Sequence, residues 1–177
     1  MLGDFSLNDE VREERIREQD SYDLSVNLDY EINIKSSARL NALYSQNDKT
    51  TDVIRYTSNL RVNPSSTAIE REEIPGDRDN WEIGGDYEYV TDSGSRFKFL
   101  FINNRNDSAS TRERFDVFAD GSESKNLFLD LASTTAERIV RASFTMDFLE
   151  GQDIDLGAAR AQTTLDSSLA LGLPGST

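Results

Sequence analysis

The residues that most often run acid–base and nucleophilic chemistry are missing from this chain, which has no histidine and no cysteine. Cys/His zinc sites, disulfides and every scheme with a histidine base are thereby excluded. What remains is a Ser/Lys couple or a pair of carboxylates. The lysines are Lys35, Lys49, Lys98 and Lys125, and none stands at a motif spacing from a serine. Asp77-Arg78-Asp79-Asn80 is a partial match to a calcium loop, without the turn glycine and terminal glutamate that such a loop needs. With Glu70, Glu72 and Glu73 upstream, this segment reads as a solvated, flexible loop. There is no phosphate loop, dinucleotide fingerprint or basic–aromatic strip. The reading is therefore non-enzymatic, with no catalytic, metal-ligating or cofactor-binding residue and no cofactor.

The residues that do form a pattern are charged pairs and an aromatic row. Glu88 and Lys98 lie at equal distance from Ser93, and Asp29 and Arg39 at equal distance from Ile34. If those positions centre tight turns, each pair sits directly across two antiparallel strands. On the opposite parity run Tyr22, Tyr30, Trp81, Tyr87, Tyr89, Phe97, Phe99, Phe101, Phe144 and Phe148. Side chains alternate faces along a strand, so one face is aromatic and the other charged and small. Gly84 and Gly85 interrupt the first strand of the second hairpin, marking a bend or a close approach.

The elements that must position these residues repeat. Trp81 to Asp107 alternates into a turn at Thr91-Asp92-Ser93-Gly94-Ser95 and back out, which is a hairpin signal. An offset of 59 (81 − 22) lays Tyr22–Asp48 over it without a gap. A weaker third copy covers Val140 to Ala158, with its turn at Gly151-Gln152-Asp153. Parity joins Ser36 to Val62 as one long strand, loosened at 47–50. Asn63-Pro64-Ser65-Ser66 makes the far turn, and Ile69–Asn80 is the charged return. Asp120–Ser133 reads as a second far loop, with Glu137–Phe148 returning. Residues 1–20 form a charged segment, a solvated helix or loop or the end of a preceding strand. Residues 21–171 form the hairpin array, and 172–177 a fraying tail. The fold class is all-β, an antiparallel up-and-down meander of long hairpins.

Charge narrows the partners. A net charge of −14 argues against nucleic acid, whose phosphates such a surface repels. The first residues have neither the basic leader nor the apolar stretch of a signal peptide, and no segment is a transmembrane helix by length. Barrel strands need only about 10 alternating residues and escape that test. Short turns near Ile34, Ser93 and Gly151, against long charged connections at the other end, match the asymmetry of outer-membrane barrels. On that reading the meander is part of a transmembrane β-barrel. Its aromatic row faces lipid, and Asp29, Arg39, Glu88 and Lys98 face the lumen. The alternative is an aromatic row packed in a soluble β protein.

The segments Ser21–Asp48, Asn80–Asp107 and Arg138–Leu171 resemble the barrel wall of TonB-dependent outer-membrane receptors of Gram-negative bacteria. The resemblance implies a barrel of about 22 strands around a plug and energised uptake of a scarce solute such as an iron chelate. The implied location is the outer membrane. Implied partners are outer-membrane lipid, the remaining barrel strands and plug, and the energy-transducing inner-membrane complex. An internal fragment of that wall is not transport-competent alone. Other readings are a fragment of a porin-like or structural outer-membrane barrel, and a soluble extracellular β-sheet binding module.

Overall fold

Alternation of side chains over most of the chain gives strands and little else. The computed structural model describes residues 7–62, 66–149 and 151–172. Its elements are β1 (Asp9–Asn33), β2 (Ser36–Asn59), β3 (Ser66–Val90), β4 (Arg96–Val117), β5 (Glu123–Leu149) and β6 (Gln152–Gly172). They form one antiparallel sheet in the order β1-β2-β3-β4-β5-β6. The 25 residues of β1 span roughly 80 Å at about 3.3 Å per residue.

The meander and its first two turn centres agree with the alternation in the sequence; the third turn centre lies two positions before that of the expected Gly151-Gln152-Asp153, because Gln152 and Asp153 already belong to β6. Paired positions sum to 68 in the first hairpin (9 + 59), 186 in the second (69 + 117) and 300 in the third (128 + 172). The turns therefore centre on positions 34, 93 and 150. At the second, the Thr91 amide donates to the Ser95 carbonyl at 2.8 Å and the Gly94 amide to Thr91 at 3.1 Å. Gly94 has φ +88°, a backbone conformation that a Cβ disfavours.

The barrel does not form. β1 and β6 lie at opposite edges of an open sheet and do not pair with each other. This overturns the transmembrane barrel and the resemblance to a TonB-dependent receptor. The energised uptake and the partners drawn from it, outer-membrane lipid, further barrel strands with a plug, and an inner-membrane complex, go with them. The physical reason lies in the connections. The long far-side loops are themselves strand, so only residues 60–65 and 118–122 connect at that end, against 34–35 and 91–95 at the other. The asymmetry that suggested a barrel is absent.

Three local readings change for the same reason. The charged segment is β1 from Asp9, because each residue finds a partner on β2: Arg55 pairs with Glu13 at 3.1 Å, and the Arg12 guanidinium lies 5.9 Å from the Tyr56 ring centre. The supposed far loop Asp120–Ser133 is a tight turn followed by β5 from Glu123. There the Phe118 amide donates to Ser122, and Gly121, at φ +83°, to Phe118. Gly121 and the serines had suggested a loop, yet pairing with β4 holds the segment from Glu123 extended. Asp77–Asn80 lies within β3, so alternation sends its aspartates to one face and Arg78 and Asn80 to the other. Asn63-Pro64-Ser65 and the tail 173–177 lie outside the described residues.

With a single layer, burial is sparse. Among the described residues, Val53 is the one fully buried apolar side chain, at 1% exposure. Cohesion rests on ladder hydrogen bonds and on cross-strand pairs, each contributing about 0.2–1 kcal/mol. One clamp crosses three strands: Arg71 on β3 lies 4.6 Å over the Phe115 ring of β4 and forks onto Glu123 of β5 at 2.8 and 2.6 Å. The hydrogen bonds from Arg71 hold the Glu123 carboxyl below the usual glutamate range. A lowered folded-state pKa stabilises above the unfolded value, about 4.3, and that contribution is lost as pH falls through the folded value. Glu123→Gln should therefore lower the denaturation midpoint at pH 7, and the gap to wild type should close as pH drops below about 4. Urea titrations of both proteins across that range test this; a gap of constant size would refute the clamp.

Candidate ligand-binding cleft

Parity divides the sheet into two chemically different faces. Register brings the aromatic row together on one of them. Tyr30, Ala38, Tyr87, Phe99, Ala142 and Ala158 form one unbroken cross-strand row, and Ser36, Tyr89, Phe97, Phe144 and Leu156 the next. Phe101 lies opposite Gly85. Trp81 and Tyr22 stand further from the turns, on the same face. Phe148 sits at the β5 irregularity between Asp147 and Leu149. These rings are well exposed at the sheet's rim, Tyr22 at 66% and Phe148 at 60%. In an open sheet this is a free apolar face.

The four charged residues project from the other face. Lys98 pairs with Glu88 directly across the hairpin at 3.2 Å, with Arg96 on the same carboxylate at 3.3 Å. Asp29 and Arg39 are also direct partners. Arg39, however, gives its ion pair to Asp86 of β3 at 3.0 Å, and that contact raises its pKa. Without closure there is no lumen, and these pairs stand on an open polar surface.

Further from the short turns the same polar face holds a second ionic network. Arg55 bridges Glu13 and Glu70, Arg114 reaches Glu70 at 3.5 Å, and Arg112 forks onto Glu72 at 2.7–3.2 Å. The Glu72 side chain is 3% exposed. Thr51, Val53 and Glu72, all buried, project from this face, which makes it the more sheltered one.

Between the two networks lies a belt of different chemistry. Its rows are Gln19–Lys49–Gly76–Ser110–Leu131, Ser21–Asn47–Arg78–Ser108–Ser133 and Asp23–Ser45–Asn80–Asn106–Thr135, with Asp23 at the β1 edge. Across β2 to β5 this belt contains two cations, many hydroxyls and amides, and no carboxylate. Lys49 and Arg78 make no ion pair among the described residues, in a protein of net charge −14. They stand diagonally on adjacent strands, about 7 Å apart at Cβ. Gly76 makes room for this: a Cβ there would lie 3.3 Å from Cε of Lys49 and 3.2 Å from the Ala109 carbonyl. The lysine stem lies over the bare glycine. A cleft of about 520 Å³ opens at this place, with Gln19, Asn47, Lys49, Arg78, Ser108 and Ser110 among its walls. Asp77 also lines it, from a position whose side chain alternation sends to the other face.

No known protein-family model matches the chain, and no curated protein matches it. The chemistry must be read from the surface alone. Two unpaired cations beside a field of hydroxyls and amides attract an anion that carries hydroxyl groups of its own. Among the described residues, no three carboxylates converge closely enough to hold a metal ion. Sequence reading missed Lys49 and Arg78, because the one lay in a stretch taken as loosened and the other in a stretch taken as a loop. The available signal was the continued alternation of 45, 47, 49 with 76, 78, 80.

Proposed function

We propose that this chain is a non-enzymatic β-sheet binding module, acting outside the cytoplasm, whose polar cleft takes a hydroxylated anion of the sugar-acid class. The observation that carries this reading is the belt across β2 to β5, whose own face carries no carboxylate there and in which Lys49 and Arg78 make no ion pair among the described residues. Its cations meet the carboxylate, and the hydroxyls and amides of Ser108, Ser110 and Asn47 meet the ring hydroxyls. The cysteine-free composition is compatible with an extracytoplasmic setting. Because the cleft is open to water, affinity is modest, with Kd on the order of 0.1–1 mM.

The test is calorimetric titration of the whole chain with trigalacturonate and with its neutral galactose counterpart. The acidic sugar should bind and the neutral one bind at least about tenfold more weakly, a difference of about 1.4 kcal/mol. Lys49→Gln combined with Arg78→Gln should abolish the preference, and raising the salt concentration should weaken it. Equal binding of both sugars, or an acidic preference that survives the double substitution, refutes the proposal.

A further inference from the structure

We propose that the two free edges pair with each other between molecules, β6 of one copy joining antiparallel to β1 of a second. This is independent of the cleft. Both edges are long, and neither β1 nor β6 contains the proline or lysine that blunts many exposed edges; the Asp, Glu and Arg that β1 carries are of both signs. Among the described residues, each offers an unpaired row of backbone N–H and C=O groups.

The occupant follows from the chain's own seams. Because the hairpins repeat, β2–β3 and β4–β5 are joints between successive units, and both use one register rule. Ala38, four past turn centre 34, pairs with Tyr87, six before centre 93. Phe97, four past 93, pairs with Phe144, six before centre 150. β6 leaves the last unit as β2 and β4 leave theirs, and β1 enters the first as β3 and β5 enter theirs. The same rule places Ile154, four past 150, opposite Leu28 of the second copy, six before 34. Leu156 then meets Val26, and Ala158 meets Leu24.

The side chains suit this register. It keeps the parity of both strands, so the apolar face runs on across the joint. Arg160 comes opposite Tyr22, where a guanidinium can lie over the ring. Asp153 opposite Asp29 is the single like-charge opposition among paired positions. A joint between unlike edges is heterologous, so each added copy leaves a further free edge and association proceeds beyond a dimer.

Two measurements test the proposal. In sedimentation velocity, the average mass of the wild-type chain should rise with concentration past that of a dimer; a monomer at all concentrations overturns the proposal. Because the chain has no cysteine, Val26→Cys and Leu156→Cys can be prepared separately and oxidised. The mixture should give a disulfide-linked dimer at least about tenfold more efficiently than either protein alone. Cross-linking by one variant alone as efficiently as by the mixture would show like-edge pairing and overturn the register. No cross-link in the mixture, with both variants folded by circular dichroism, overturns it as well.

Discussion

Arg112→Ala should lower the free energy of unfolding by about 3 kcal/mol, the largest loss expected from any single truncation on the polar face. The reason is asymmetric burial. The Glu72 side chain is 3% exposed while that of Arg112 is 41% exposed. Removing the arginine leaves a shielded carboxylate without the forked donor that now holds both its oxygens. Arg55 and Arg114 stand near Glu72 but already hold Glu13 and Glu70. Removing the other partner is milder: after Glu72→Ala, water solvates the exposed guanidinium, and the loss should be about 1 kcal/mol. Arg112→Lys should fall between, since a lysine keeps the charge and loses the two-pronged geometry. Urea denaturation of the three variants checks the order. If the two alanine variants lose equal stability, the shielded carboxylate is not the source of the effect.

Gly85→Ala should cost about 2 kcal/mol, more than a helix or strand propensity can explain. A Cβ at Gly85 would lie 2.7 Å from the Arg39 carbonyl oxygen and 2.9 Å from Cε1 of Phe101. The ring can turn away, but the carbonyl belongs to the neighbouring strand and cannot move without disturbing the β2–β3 ladder. Gly84 provides the internal control. Its nearest neighbours would be at 3.4 and 3.6 Å, ordinary contact, so Gly84→Ala should change stability by less than about 0.5 kcal/mol. Thermal melts of the two variants separate the cases. Equal melting temperatures would show that Phe101 and the backbone relax freely around the added methyl.

These two glycines show how far the sequence is legible. Adjacent glycines in an alternating run signal a special position, but not which of the two needs the missing side chain. That depends on Phe101, 16 positions away (101 − 85) and directly opposite in the ladder. The Glu88–Lys98 pair could be placed from symmetry about Ser93, because hairpin partners are local and their spacing encodes the register. Arg39 could not be resolved in the same way. Its hairpin partner is Asp29, yet its ion pair is with Asp86 across the next seam, a contact that no local spacing records. Lys49 and Arg78 fell into stretches whose composition suggested loops. Charged, serine-rich strands arise where ladder bonds and cross-strand partners outweigh a weak intrinsic preference for extended backbone.

Alternation and the 59-residue offset by themselves determined the all-β meander, its first two turn centres and the division of the sheet into an apolar and a polar face. These depend on period and on neighbours close in sequence. Only the tertiary structure decided that the strands run through the supposed loops and that the sheet stays open. It also decided that Lys49 and Arg78 stand together in one polar belt across β2 to β5. Closure depends on whether the first and last strands meet, and the belt on which residues stand side by side in separate strands. Both are long-range pairings, and one strand's pattern specifies which way each side chain points without naming the residue it will stand beside.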